Sequence, residues 1–268
     1  MQRQIMEITC KTILNQSSMG FAEYTLNAYQ GCAFSCSYCY VPIMRSRRGR
    51  LDDSRWGSWV QVKTNAPEVL RSQMRNVAPN ARIAIGTSTD SWQPIEKKYG
   101  IARKVLEELT YYPNPIHLLT RSPLLMRDID VLVRVPSVKV GISLPTFDDK
   151  VRKSFEPLAP AVAGRVRLIK SLVDAGIYVM LFWCPILPGV MDHPLTVQEY
   201  LRQASTLGVK RVICDTLGYT DELIAQHNEL LESYRKQVVA PAPERVMRAD
   251  LRMEIARWAD YYGVNCRL

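Results

Sequence analysis

Apolar and polar positions change period repeatedly along this chain. Short runs rich in Val, Ile, Leu and Tyr give way to stretches whose apolar residues recur every three or four positions. Such switching predicts strands followed by helices. Extended segments are predicted at 24–29, 59–63, 82–87, 116–120, 138–143, 177–183 and 209–214. Helices are predicted at 67–77, 101–109, 124–133, 161–175 and 196–207. Pro67 and Glu68 mark one helix start, and Gly176 and Gly208 mark two helix ends. The run 177–183 is apolar on both faces, as expected of a strand covered on both sides. After Asp215 the alternation stops, and 221–238 and 244–262 read as two amphipathic helices.

Regular βα alternation implies parallel strands joined by right-handed crossovers. About six units fit a partial (β/α)6 barrel, open on one side, with C-terminal helices. The expected division is an N-terminal extension over 1–22, the barrel over 23–216 and a helical extension over 217–268. In parallel barrels chemistry sits on loops at the C-terminal ends of strands. Those loops are therefore where candidate residues are sought.

The loop after the first strand holds Cys32, Cys36 and Cys39, spaced C-x3-C-x2-C with Tyr38 before the last. This spacing lets one short loop aim three thiolates at one point. Three thiolates can hold three irons of a [4Fe–4S] cube and leave the fourth iron open to a chelating small molecule. Structural zinc is the competing reading, and it usually takes four ligands. No fourth Cys or His stands close by in sequence, although folding could bring His117 or His193 near. The seven cysteines are an odd number in a long chain, which argues against a disulfide framework.

Other strand ends carry polar candidates that are weak singly. Thr87, Ser88 and Thr89 could meet a ligand ammonium, or form an ordinary turn. Arg121 could pair a ligand carboxylate, or point to water. Ser143 could reach a ribose hydroxyl, or be structural. Cys184 and Cys214 end the fifth and sixth strands. They are either buried small hydrophobes, a hydrogen donor to substrate, or ligands of a second iron–sulfur cluster with Cys266 or Cys10.

Composition narrows the partners. The formal net charge is +9, and Arg45, Arg47, Arg48, Arg50 and Arg55 follow the cysteine loop. Such a stretch faces phosphates or is simply solvated. The longest apolar run, 177–187, falls short of the roughly 20 residues a membrane span needs. The first residues lack the apolar core of a signal peptide. A soluble cytosolic protein without a membrane partner is expected.

These residues together resemble the radical SAM (S-adenosylmethionine) superfamily and, within it, the spore photoproduct lyase-like group. The likeness runs from about Ile13 to Asp192. Besides the cysteines it includes Asn27 to Gly31, Val62, Lys63 and Asn65, then Thr89, Asp90, Trp92, Gln93, Pro94 and Glu96. It continues through Thr120 to Ser122, Arg127 to Asp130, Ile142 and Ser143. Phe155 to Pro157, Pro160, Arg165 and Pro185 to Gly189 complete it.

The resemblance implies a partial barrel binding one [4Fe–4S] cluster and SAM, and a reductase such as flavodoxin or ferredoxin. By position, Cys32, Cys36 and Cys39 would ligate iron. Tyr38 would line the adenine, with Ile186 in the fifth-strand segment that passes it. Ser88 and Thr89 would meet the SAM amino group, Arg121 its carboxylate and Ser143 its ribose. The lyase has a hydrogen-donating cysteine where this chain has Thr87, and a longer N-terminal portion. Dimer repair therefore does not follow from the resemblance. The expected activity is reductive SAM cleavage and hydrogen abstraction from a small, phosphorylated or nucleotide-like substrate. The alternatives are a nucleic-acid-modifying or repair enzyme, and a non-catalytic metal-holding nucleic-acid-binding module.

Overall fold

The computed structural model describes residues 3–46, 56–216, 225, 229, 232 and 249–267. Most of the predicted helix over 221–238 lies outside these residues, and its described positions 225, 229 and 232 are helical. Arg47, Arg48, Arg50, Arg55, Tyr219, His227 and Tyr234 also lie outside.

Six parallel strands form the heart of the molecule: β3 (Tyr24–Leu26), β6 (Ile83–Ile85), β7 (Ile116–Thr120), β8 (Val138–Ser143), β9 (Tyr178–Ile186) and β10 (Arg211–Thr216). They pair in chain order. At one edge β2 (Leu14–Gln16) adds antiparallel to β3, and at the other β11 (Asn265–Arg267) adds parallel to β10. Among the described residues the two edges do not pair with each other, so the eight-stranded sheet is open there. A separate three-stranded sheet joins β1 (Gln4–Ile8), β5 (Trp59–Lys63) and β4 (Tyr29–Gln30). Its β4 leads directly into the cysteine loop.

Helices fill the crossovers. They are α1 (Val41–Ser46), α2 (Ala66–Met74), α3 (Glu96–Tyr99), α4 (Ile101–Leu109) and α5 (Ile129–Leu132), then α6 (Asp149–Phe155), α7 (Val162–Asp174), α8 (Pro194–Thr206) and α9 (Ala249–Tyr261). The predicted α4 appears with its expected face inward, burying Ile101, Val105 and Leu109. The predicted helix over 124–133 is instead a 3-10 turn, Pro123–Asp128, followed by α5. Ser122 caps this turn by accepting from the Leu124 N–H, and Asp128 at its end is fully buried.

The two faces of the large sheet differ. Trp183 of β9 stacks on Tyr200 of α8 with ring centroids 4.0 Å apart, so odd positions of β9 face the helices. Even positions face the other way, because successive strand residues alternate. Phe182 lies there over Gly141 of β8, whose missing side chain makes room for the ring.

Candidate active site at the cysteine loop

The cysteine loop is built by backbone geometry that only certain residues tolerate. Gly31 adopts φ +78°, and a Cβ there would meet the Trp59 carbonyl oxygen at 2.5 Å. Glycine is the residue without that penalty. Two tight turns follow: Ser35 N–H donates to Cys32 O at 3.3 Å, and Cys39 N–H donates to Cys36 O at 3.0 Å. Cys36 is buried, and Cys32 and Cys39 are half-buried.

The three sulfurs share one electrostatic neighbourhood. Burial raises all three thiols, Cys39 to about 12. Negative charge on Cys32 raises both Cys36 and Cys39, and charge on Cys39 raises Cys36. Arg121 opposes these effects at each of the three. Its Nη1 donates to Cys36 Sγ at 3.0 Å. The indole N–H of Trp56 is buried near Cys39 and has no hydrogen-bond partner among the described residues.

The loop after β6 braces the cysteines from below. Thr89 donates its hydroxyl to the Gly31 carbonyl. Gln93, fully buried, donates to the same carbonyl at 3.2 Å and accepts from the Ala33 N–H at 2.8 Å. Asp90 accepts from Thr120 Oγ1 at 2.7 Å and from the Arg121 backbone N–H at 2.8 Å, which fixes where Arg121 leaves β7. Ser88 is exposed, and its N–H donates to Asn27 Oδ1 at 3.2 Å.

A second buried set supports the strand that enters the loop. Tyr29 donates to Glu96, which also pairs with Arg127 at 2.7 Å. Arg127 and Arg103 both hold Asp128, and Trp92 donates its indole N–H to Asp128 Oδ2 at 2.8 Å. Glu96 and Asp128 are fully buried, so each depends on these partners.

Tyr38, Arg121 and Ser143 are drawn together by a residue that sequence reasoning left without a role, Glu156. Tyr38 donates its hydroxyl to Glu156. Arg121 pairs with Glu156 Oε1 at 2.6 Å, and Arg165 takes Oε2. Arg165 also donates to the Ser143 carbonyl at 2.9 Å and to Pro160 O at 2.9 Å. These charges hold the Glu156 carboxyl below its ordinary value against the burial that raises it.

The remaining candidates lie apart. Cys184 sits on the Phe182 face, half-buried, and its thiol donates to the Ile213 carbonyl at 3.3 Å. Cys214 is the register partner of Trp183 and so belongs to the helix-facing side, buried near Cys266. Ile186 is buried at the end of β9. Cys10 exchanges backbone hydrogen bonds with Asn65.

Among the described residues, no three His, Cys, Asp or Glu side chains surround a single metal ion. A four-iron cube takes each cysteine on a different iron. The donor set of the loop, three free thiols with the Arg121 N–H on Cys36 Sγ, fits the cube. A second cluster finds no support, since Cys184 and Cys214 face opposite sides of the sheet.

Residues 26–201 match the Radical SAM superfamily. An uncharacterized protein of Methanocaldococcus jannaschii is 31% identical over 196 residues, 73% of this chain and 73% of that protein. The chain belongs to the radical SAM superfamily and is a radical SAM enzyme. More narrowly, its fold is similar to that of spore photoproduct lyase. A structure of that lyase with bound AdoMet and dinucleoside spore photoproduct aligns with TM-score 0.73 at 14% identity, over 98% of this chain and 81% of that one. A Pseudomonas phage M6 protein named Radical SAM Nalpha-GlyT isomerase is 26% identical over 196 residues, 72% of this chain and 39% of that protein. The family implies SAM and a [4Fe–4S] cluster. No helix among the described residues is long and apolar enough to cross a membrane.

Proposed function

We propose that this enzyme binds one [4Fe–4S] cluster through Cys32, Cys36 and Cys39 and uses it to cleave SAM reductively, acting on a small, nucleotide-like substrate. The observation that carries the reading is the loop itself. Three buried or half-buried thiols influence one another electrostatically and share Arg121 as their cation. When bound, the pair of cofactors supplies one electron and a 5′-deoxyadenosyl radical that takes hydrogen from carbon.

The chain's own residues prepare that chemistry. Gln93 and Thr89 fix the backbone on either side of Cys32. Tyr38 and Arg121 wall the loop on the Glu156 side. Thr89 and Ser88 at the end of β6, Ser143 at the end of β8 and Ile186 at the end of β9 are proposed to contact SAM. Arg121 is proposed to serve its carboxylate. Residues 23–216 form the catalytic unit in this reading, with 1–22 and 217–268 as extensions. A small electron-transfer protein such as flavodoxin or ferredoxin supplies the reductant.

The nucleotide-like class draws support from one structural neighbour, which holds a dinucleoside. The net charge of +9 suits a phosphorylated partner. Anaerobically reconstituted protein, reduced with dithionite, is expected to form 5′-deoxyadenosine from SAM. Absence of that product from protein carrying about four irons per chain overturns the reading.

A further inference from the structure

Resting on the cluster reading above, we propose that Glu156 is a positioning residue: it holds the Arg121 guanidinium on Cys36 Sγ, so that a fixed cation stabilises the reduced cluster. Three observations carry this. First, a single nitrogen, Arg121 Nη1, lies 3.0 Å from Cys36 Sγ, 2.6 Å from Glu156 Oε1 and 3.1 Å from the Tyr38 hydroxyl. The arginine is thus pinned at the sulfur and does not sweep through solvent.

Second, the anchor is itself immobilised. Arg165 is fully buried and occupies the other oxygen of Glu156. It also donates to the backbone carbonyls of Ser143 and Pro160. The carboxylate is therefore held from both sides and aimed at Arg121. Third, Asp90 accepts the Arg121 backbone N–H at 2.8 Å, so both ends of the arginine are fixed by buried carboxylates.

N–H groups on ligand sulfurs, together with net charge and solvent exposure, set the potential of an iron–sulfur cluster. Reduction adds one negative charge. A guanidinium donating to a ligand sulfur favours the reduced state and raises the potential. Glu156 tempers the cation's charge while fixing its place. Removing Glu156 leaves a charged but unanchored arginine, and the outcome reports whether position or charge matters.

The test is the midpoint potential of the reconstituted full chain, titrated anaerobically without SAM, for the wild type and for Arg121→Met, Arg121→Lys and Glu156→Gln. Arg121→Met is expected to lower the equilibrium constant for reduction about tenfold, which is 59 mV for one electron. Arg121→Lys keeps the charge but loses the planar fork, and its potential is expected to fall part of the way. Glu156→Gln removes a negative charge, which alone would raise the potential. A fall in spite of that, with a broadened electron paramagnetic resonance signal, is expected from an Arg121 that has lost its place on Cys36. A raised or wild-type potential overturns the positioning role. Wild-type potentials in both Arg121 variants, each with about four irons per chain, overturn the proposal even if Glu156→Gln fails to fold. A wild-type chain that assembles no cluster at all overturns the cluster reading as well, which separates the two failures.

Discussion

The side-chain amide of Gln93 closes on both flanks of Cys32. Its Oε1 accepts from the Ala33 N–H at 2.8 Å, and its Nε2 donates to the Gly31 carbonyl at 3.2 Å. Gln93 is fully buried, so the Ala33 N–H has no water to turn to if it is lost, whereas the Gly31 carbonyl keeps the Thr89 hydroxyl. Gln93→Leu is expected to cost about 1–3 kcal/mol for the buried Ala33 N–H left unsatisfied. The loop should loosen, and iron retained after reconstitution and desalting should fall below the wild-type value. Equal iron content and an unchanged urea midpoint would show that the brace is not needed.

The turn that follows β6 depends on Gly86. Its φ is +83°, and a Cβ would press against the Leu119 carbonyl oxygen, a backbone atom of the paired strand. Gly86→Ala is expected to destabilise the fold by at least about 1–3 kcal/mol from backbone strain alone. Urea denaturation of the two proteins measures this directly.

The turn that carries Glu156 has its own acid sensitivity. Asp149 accepts from Arg152 Nε at 2.8 Å and from the Val162 N–H at 3.0 Å, tying α6 to α7. These bonds lower its carboxyl from 3.8 to about 2. A folded value below the unfolded one means stability present above pH 3.8 and lost as pH falls towards 2. Asp149→Asn should be less stable than the wild type at neutral pH. The gap should narrow as the pH drops through that window, in thermal melts at matched ionic strength.

Cys184 and Cys214 should behave as protected thiols. Burial raises Cys184 first of all, and contact with Cys266 and burial raise Cys214. Alkylation with iodoacetamide at pH 8 is expected to spare both in the folded protein and to label both after denaturation, as mass spectrometry would show. Cys214→Ser should still reconstitute with about four irons per chain, in keeping with a single cluster.

What was legible in the sequence was local. The spacing of Cys32, Cys36 and Cys39 lies within one loop, and the strands 59–63, 116–120 and 138–143 appear with the bounds their apolar patterns give. The short strands β2 and β11 carried too few residues to show a period, and β11 forms only by leaning on β10. The braces of the site were not legible, because they join distant positions. Gln93 meets Ala33, and Glu156 meets both Tyr38 and Arg121, through folding alone. Glu156 and Arg165 stood in the family-like strings, yet nothing in the string says that they face each other. Cys214 shows the limit of strand-end reasoning: it and Cys184 both end strands, but alternation and register turn Cys214 to the helices.

The most direct test of the central claim is electron paramagnetic resonance of the anaerobically reconstituted, dithionite-reduced protein with and without SAM. The account requires a reduced [4Fe–4S] signal that changes when SAM is added and disappears with serine at Cys32, Cys36 or Cys39. A loop that holds zinc, or a cluster signal indifferent to SAM, would contradict it.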